Sequence, residues 1–343
     1  MLRDEIIQQP LVIDELLTKE LDHIHRIATE LRQREIYYMV IAARGTSDNA
    51  ARYGKYLFGS RIGMQVALAT PSLYTLYDRP PRLHGALVVG VSQSGESEDV
   101  VSVVAEAHQQ TLPTLAITNS PDSPLAAVAD YVIETHAGEE LSVAATKTYT
   151  TQLTALAALA ACWTNSEQML SELKMVPEVM QHTLQLEPII KQAAPRYKQA
   201  EHCIVIGRGY NYATAFEIAL KLKETCYLAA EPYSPADFLH GPVALIEAGY
   251  PAIILAPSGA AYSNLVEFTR RLSQLKASIL MLSDNAEALD LAQVPLEIQS
   301  SLPEWITPMV MVIPGQLLAF HLAHARGLDP DKPRGLAKVT ITR

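Results

Sequence analysis

The sequence predicts an α/β protein made of two similar halves, each built around a parallel β-sheet. Three observations lead to this prediction: short β-branched runs alternate with longer helical stretches, similar segments recur at a constant offset, and 49% of the 343 residues are hydrophobic. Alternating strands and helices are the signature of βαβ units, whose strands are parallel. A chain of this length and composition can bury two domain cores.

The alternation is clearest in the first half of the chain. Short apolar runs predict strands there, and longer stretches with helical periodicity predict helices. The predicted strands lie at residues 37–42, 85–91, 114–118 and 131–133, and the predicted helices at residues 49–58, 98–109 and 148–162. The same order of elements begins again near residue 203.

The second half repeats the first at a constant offset in the numbering. The distance from Gly45 to Gly209, which follow similar apolar runs, equals the distance from Gly95 to Gly259. The apolar runs that begin at residues 115 and 279, and the glutamines at 152 and 316, keep the same spacing. Unrelated α/β domains would share element types but not an ungapped spacing, so the offset indicates an internal duplication.

The repeat also defines the expected domains. We expect a helical lead over residues 1–33, a first domain over 34–164, a helical connector over 165–199 and a second domain over 200–327. Pro177, Pro188 and Pro195 interrupt the helices of the connector. The tail 328–343 has no counterpart at the end of the first domain, which indicates a role of its own.

Composition restricts the partners and the compartment. The net charge is −10 and no block of basic residues occurs, which disfavours nucleic acid as a partner. No apolar run approaches about 18 residues, so no membrane partner is expected, and the N-terminus lacks the pattern of a secretory signal. Cys162, Cys203 and Cys226 form no CxxC pair, which favours buried, reduced cysteines in a cytoplasmic protein.

A loop rich in hydroxyl groups follows the second predicted strand. It contains Ser92, Gln93, Ser94, Gly95 and Ser97 and leads into a helix. Hydroxyl groups and the unpaired N–H groups of a helix N-terminus together suit a phosphate monoester. A simple N-terminal cap explains the local sequence equally well. Neither a GxxxxGK nor a GxSxG motif is present, which excludes a Walker loop and a nucleophile elbow.

The second half lacks this cluster of hydroxyl groups. At the corresponding positions it has Tyr210 and Asn211 after the first strand and Pro257 and Ser258 after the later one. The two halves have therefore diverged in role.

Several motifs, in this order, resemble the sugar isomerase (SIS) domain family. The closest resemblance is to the isomerase half of the glutamine–fructose-6-phosphate amidotransferases and to stand-alone SIS-type glucosamine-6-phosphate deaminases. The matching motifs are SQSGES at 92–97, TK at 146–147 with TQL at 151–153, ALKLKE at 219–224, HGP at 240–242 and DKPRGLAK at 331–338. The resemblance runs from about residue 37 to the end of the chain. It implies two tandem SIS domains, each a three-layer α/β sandwich of the flavodoxin-like type with a parallel sheet.

The resemblance also implies site residues. Glu224 would move a proton between C1 and C2, His240 would open the sugar ring, and Lys338, on the tail that closes the site, could form an imine with the ketose. His240 would arrive from the partner subunit of a homodimer. The sugar phosphate would be bound by Ser47, Ser92, Gln93, Ser94, Ser97, Val143 and Ala337. Without the resemblance, Glu224 would be read as part of a solvated helix face, His240 as a turn residue and Lys338 as a surface lysine.

Three features separate this chain from the amidotransferases it resembles. Residue 2 is Leu2 rather than the cysteine that begins a glutaminase domain, Ala145 replaces a serine that contacts the sugar, and Asp237 replaces a glutamate. We therefore expect an enzyme that converts glucosamine 6-phosphate into fructose 6-phosphate and ammonia. The alternatives are a fructosamine-6-phosphate deglycase and a non-catalytic sugar-phosphate sensor.

No metal or cofactor is expected. The histidine pairs His23/His25 and His321/His324 lack a carboxylate or cysteine partner that would complete a convincing ligand set. His321 and His324 lie in an apolar stretch, where packing or an interface is the simpler role.

Overall fold

A computed structural model describes residues 1–299 and 302–338. The chain divides into two compact units. The first-repeat unit comprises residues 11–141 and 145–174 with the tail from Ala337, and the second-repeat unit comprises residues 1–10, 142–144 and 175–336. Each unit contains one sheet of five parallel strands.

The first-repeat unit contains one parallel sheet and its flanking helices. The elements are α1 (Leu2–Arg32), β1 (Tyr38–Ala42), α2 (Thr46–Ile62), β2 (Gln65–Leu68), α3 (Ser72–Thr75), β3 (Ala86–Ser92), α4 (Glu98–Gln109), β4 (Thr114–Thr118), α5 (Pro124–Val128), β5 (Tyr131–Glu134), α6 (Lys147–Trp163) and α7 (Glu167–Leu173). Helix α1 begins in the second-repeat unit and continues into this one. The strand order in the sheet is β2-β1-β3-β4-β5. This is the flavodoxin-like order, so the predicted fold class is confirmed. Strand β3 is buried at every position, as expected for a central strand covered on both faces.

The second-repeat sheet has the equivalent order, β7-β6-β8-β9-β10. Its elements are α8 (Val176–Thr183), α9 (Glu187–Ala193), β6 (His202–Ile206), α10 (Asn211–Cys226), β7 (Ala229–Tyr233), α11 (Pro235–Leu239), β8 (Pro251–Leu255), α12 (Tyr262–Gln274), β9 (Ser278–Ser283), α13 (Ala286–Leu289), β10 (Val294–Glu297) and α14 (Thr307–Ala325). Pro177 and Pro188 lie in the first turns of α8 and α9, where proline costs no helical hydrogen bond.

The predicted duplication is present in the structure. Strands β1 and β6 begin at residues 38 and 202, β4 and β9 at 114 and 278, and helices α4 and α12 at 98 and 262, so all three pairs have the offset found in the sequence. Two edge strands that the sequence analysis did not predict, β2 and β7, begin at residues 65 and 229 and keep the same offset.

Helix α14 is the most apolar helix of the second-repeat unit. Among the described residues, the segment Glu304–Ala325 is long and apolar enough to cross a membrane by length and composition alone, which contradicts the expectation that no apolar run approaches that length. Within the structure 89% of its most apolar window is buried. It packs against α8, α9 and α10, so its composition is accounted for by a central position in the core.

Candidate active site

The carboxyl ends of strands β1 and β3 form the first part of the candidate site. The chain leaves these two neighbouring strands in opposite directions across the sheet, and ligands of open α/β sheets bind at such a switch point. Ser47 lies in the first turn of α2 after β1, and Ser92 ends β3. Both are 8% exposed. The predicted phosphate-binding serines therefore follow two neighbouring strands at the same end of the sheet.

The loop after β3, residues 92–97, is held by its own hydroxyl groups. Gly95 N–H donates to Ser92 Oγ (3.1 Å), and Glu96 N–H donates to Ser94 Oγ (3.3 Å). Gly95 has a φ of 66°, and a Cβ atom at this position would lie 2.0 Å from Ser123 Oγ. Glycine is therefore required here both by the left-handed backbone and by the close approach of a neighbouring loop.

Ser97 is the N-cap of α4, but its side chain makes no capping hydrogen bond. The loop could have been a plain helix cap or an anion site, and this geometry disfavours the plain cap. Gln93 is half-buried, and its carbonyl accepts a hydrogen bond from Asn119 N–H (3.1 Å). The N–H groups at the start of α4 carry a partial positive charge that favours an anion.

Helix α6 contributes buried polar groups to the same unit. Gln152 Nε2 donates to Ser47 Oγ (3.0 Å). Two buried atoms, Gln152 Oε1 and Thr146 Oγ1, have no hydrogen-bond partner among the described residues. Buried polar atoms are normally paired, so these two are candidates for contacts with a bound molecule.

An arginine adds positive charge near the start of α4. Arg44 Nε donates to Asp99 Oδ2 (2.8 Å), and Asp99 is 2% exposed in the first turn of α4. The Arg44 side chain is 48% exposed, so its guanidinium remains accessible. No local sequence pattern links Arg44 to Asp99, 55 positions away, so this pairing was not predicted.

Lys338 lies beside a buried carboxylate rather than on an open surface. Its Nζ donates to Glu140 Oε2 (2.8 Å), in the segment between β5 and α6. Ala337 is exposed in the same unit. Val143, the other residue expected to contact the sugar, is partly exposed and belongs to the second-repeat unit.

Glu224 lies in a row of charged residues on helix α10 of the second-repeat unit. Glu217, Lys221 and Glu224 are spaced by four and three residues and so share one helix face. Lys221 Nζ is 3.3 Å from Glu217 Oε1 and 2.7 Å from Glu224 Oε2. Both contacts are ion pairs within one helix.

Lys221 and Glu217 are almost completely buried, while the Glu224 side chain is 20% exposed. Burial lowers the pKa of Lys221, but the charges of Glu217 and Glu224 outweigh burial and raise the pKa above its usual value. The buried lysine is therefore an ammonium. Without the family resemblance, Glu224 would have been assigned to a solvated helix face; its side chain is instead mostly buried and lies against a buried lysine.

His240 is exposed at the end of helix α11. It borders an open pocket of about 370 Å³ that also contains Arg208, Asn264 and Arg271. Asp237, which differs from the family pattern, forms part of the helix cap, since its N–H donates to Ser234 Oγ (3.2 Å).

One group among the described residues has the composition of a metal site. Glu20, Glu134 and His136 place one ligand atom each within 4.8 Å of one another. His136 Nε2 is 2.8 Å from Glu20 Oε1, and the three side chains are partly exposed. This group was not predicted from the sequence, because its members are up to 116 residues apart.

The three cysteines are buried and unpaired, as expected. Burial raises the pKa of Cys162 and Cys226 to about 11 and of Cys203 to about 12. Thiols with such pKa values are poor nucleophiles, which supports a packing role.

The fold and these loops define the chain as a pair of flavodoxin-like α/β domains. A family model described as SIS domain matches residues 32–162 and again residues 196–326. The chain belongs to the SIS domain family.

Individual proteins within this family are similar to the chain over nearly its whole length. The isomerizing glutamine–fructose-6-phosphate aminotransferase of Thermococcus kodakarensis is 37% identical over 348 residues, which cover 98% of this chain and 57% of that relative. The C-terminal domain of glucosamine-fructose-6-phosphate aminotransferase from Francisella tularensis has a TM-score of 0.88 and 30% identity, covering 96% of each chain. Glucosamine-6-phosphate deaminase from Thermotoga maritima has a TM-score of 0.80 and covers 99% of each chain, but at 21% identity the likeness concerns the fold alone.

Proposed function

We propose that this chain is a phosphosugar isomerase that converts glucosamine 6-phosphate into fructose 6-phosphate and ammonia. One observation carries the proposal: in the first-repeat unit the serine loop 92–97 follows β3, and the ε-amine of Lys338 contacts Glu140 in the segment that follows β5 of the same sheet. The first feature suits a phosphate, and the second suits a carbonyl. The 37% identity to an aminotransferase named for fructose 6-phosphate supports a hexose 6-phosphate as the substrate class.

The phosphate contacts follow from the chemistry of the loop. A phosphate monoester accepts hydrogen bonds, and Ser92, Ser94 and Ser97 can turn their hydroxyl groups towards it. Ser47 and the N–H groups at the start of α4 would complete the set. Arg44 supplies a further positive charge.

The proton transfer is assigned to Glu224. In open-chain glucosamine 6-phosphate, the carboxylate removes the proton from C2, and the C1 carbonyl oxygen gains a proton, giving an enolamine. Return of a proton to C1 gives a C2 imine. Addition of water to this imine and loss of ammonia give fructose 6-phosphate. Lys221 Nζ, 2.7 Å from Glu224 Oε2, places a positive charge beside the proposed base.

The direct test is release of ammonia and fructose 6-phosphate from glucosamine 6-phosphate, with no glutamine and with a chelator present. Equimolar release that E224Q abolishes supports the proposal. A second assay offers glucose 6-phosphate as the substrate. Its conversion to fructose 6-phosphate, with no ammonia released from glucosamine 6-phosphate, would contradict the deaminase activity and leave the isomerase activity. Heat protection by the sugar phosphate without any turnover would contradict both, and fructosamine 6-phosphates would then be tried as substrates.

The proposal includes a homodimer in which His240 acts in the partner's site. Its exposed position at the end of α11 supports this arrangement. The test mixes two inactive variants, E224Q and H240A, under conditions that allow subunit exchange. If each site combines one subunit's Glu224 with the other's His240, random mixing restores roughly a quarter of the wild-type activity. No recovery despite mixed dimers would contradict the shared site.

A further inference from the structure

Glu140 is a fully buried carboxylate in the segment between β5 and α6, and its side chain is 0% exposed. A buried charge is costly unless donors or an opposite charge surround it. Glu139, its neighbour, is exposed. The burial of one glutamate of this pair therefore requires an explanation.

Part of the explanation is the N-terminus of helix α6. Thr146 N–H and Thr148 N–H donate to Glu140 Oε1 (2.8 and 3.1 Å), and the Thr148 hydroxyl donates to Oε2 (2.8 Å). Thr146, the N-cap residue, makes no side-chain cap bond of its own. Glu140 caps the helix in its place, and three donors fix the carboxylate at one position.

The remaining hydrogen bond at Oε2 comes from the tail. Lys338 Nζ donates to it over 2.8 Å across 198 residues of sequence, and the lysine side chain is 25% exposed. Capping α6 does not require this fourth donor. The segment before Glu140 is itself anchored, because Asn119 Nδ2 donates to Gly138 O and Ala137 N–H donates to Asn119 Oδ1, both over 2.8 Å. Lys338 is thus bound to a carboxylate whose segment is anchored on both sides by hydrogen bonds.

We propose that Glu140 is a positioning residue that fixes the ε-amine of Lys338 at the edge of the first-repeat sheet. This edge also carries the serine loop 92–97, since both follow the carboxyl ends of strands in one parallel sheet. The functional consequence rests on the proposed isomerase activity: because the amine is already held in place, the tail does not have to be ordered when the sugar binds. The tail contact itself does not depend on that activity.

The variant E140Q tests this inference with little change in shape. The amide oxygen of glutamine can still accept from Thr146 and Thr148, whereas its NH₂ group offers the Lys338 ammonium a donor instead of an acceptor. We expect kcat to fall by about tenfold or more, with KM changed less than about threefold. E139Q, at the exposed neighbour, is the matched control and should retain both values. A kcat of E140Q within twofold of wild type would overturn the assignment.

A second measurement tests the contact without any turnover. Trace acetylation followed by mass spectrometry compares the reactivity of Lys338 with that of exposed Lys332 in the same tail. E140Q should raise the ratio of Lys338 to Lys332 acetylation at least about threefold, because the Lys338 amine loses the Glu140 acceptor. E139Q should leave this ratio unchanged. An unchanged ratio in E140Q would refute the tail contact even if the enzyme is active. A raised ratio in a protein without activity would refute only the proposed reaction.

Should E140Q fail to fold, the lysine side of the pair provides the test. K338Q removes the tail's donor and leaves the buried carboxylate with fewer partners, so the melting temperature should fall by about 2 °C or more. K332Q is the control and should melt like wild type. Equal melting temperatures for K338Q and K332Q would overturn the proposal.

Discussion

The loops that follow β3 and β8 occupy equivalent places in the two repeats but satisfy their backbone N–H groups differently. In the first repeat, Gly95 and Glu96 N–H groups donate to neutral serine hydroxyls of the same loop. In the second, Ser258 N–H donates to Asp284 Oδ1 and Ala260 N–H to Glu304 Oε2, each over 2.7 Å. Carboxylates from two other segments thus accept the N–H groups of the second loop, and they would compete with a phosphate there.

The helices that follow β1 and β6 show the opposite contrast. Helix α10 has Glu217, Lys221 and Glu224 on one face, whereas the equivalent positions of the first repeat, on α2, are Tyr53, Leu57 and Ser60. Tyr53 and Leu57 are fully buried. After duplication the two copies diverged: the first repeat has the serine loop, and the second has the charged helix face. Neither repeat contains both features.

Replacement of Glu224 should give the largest effect. E224Q keeps the shape of the side chain but removes the base, so kcat should fall by about 10²–10⁴-fold. Binding should survive, and a thermal-shift titration with glucosamine 6-phosphate measures it. S60A, at the equivalent position of the first repeat, is the control and should retain full activity. Residual activity of E224Q above a tenth of wild type would assign the base elsewhere.

The loop contrast predicts the second-largest effect. S94A removes a hydroxyl from the first-repeat loop and should raise KM for the sugar phosphate by about tenfold, as expected for one hydrogen bond to a charged group. S258A changes the equivalent position of the second repeat and should leave KM unchanged. Steady-state kinetics measure KM for both variants. Equal KM values for S94A and S258A would contradict the assignment of phosphate binding to the first-repeat loop.

The sequence was sufficient to predict the sheets and the serine loop, because both are local patterns. Central strands such as β3 and β4 are continuous apolar runs, and a cluster of serines around a glycine after a strand is a local signal. The edge strands were missed since their patterns are weaker: β2 alternates buried and exposed residues over four positions, and β7 contains a glutamate and a proline. Tertiary pairing, rather than propensity, defines them.

The parts of the site that depend on distant partners were not predictable. Glu140 reads as half of an acidic pair in a loop, and its burial follows from Thr148, eight residues away, and from Lys338, 198 residues away. The pairing of Arg44 with Asp99 spans 55 residues. The roles of Glu224, His240 and Lys338 came from the family resemblance, and they stay predictions until the variants are measured.

The carboxylates that contact the second loop predict a moderate effect on stability alone. E304Q weakens the hydrogen bond from Ala260 N–H, because an amide oxygen is a weaker acceptor than a carboxylate, so the free energy of unfolding should fall by about 1 kcal/mol. KM should not change. Urea unfolding measures the loss, with E247Q, at an exposed glutamate, as the control. A raised KM in E304Q would show that this loop contributes to substrate binding after all.

The smallest expected effect concerns His321, on α14, where the equivalent residue of the first repeat is buried Ala157 on α6. Burial, aided by nearby Lys191 and His324, lowers the pKa of His321 although Glu187 opposes the shift. The unfolded chain then binds more protons below about pH 6.5, so stability falls as the pH drops. The pKa of Glu187 is lowered, mainly by the hydrogen bond from Arg3. Protonation of this carboxylate therefore also reduces stability as the pH falls, but in the lower pH range where a glutamate titrates.

The variant H321Q separates these two contributions. Glutamine can still donate to Glu187 Oε1, which His321 Nε2 approaches to 2.9 Å, but it does not titrate. The fall in melting temperature between pH 7.5 and pH 5.5 should therefore be smaller in H321Q than in wild type, while the loss below about pH 4.5 that arises from Glu187 should remain. If the melting temperatures of H321Q and wild type fell in parallel between pH 7.5 and pH 5.5, a group other than His321 would be responsible for the loss of stability in that range.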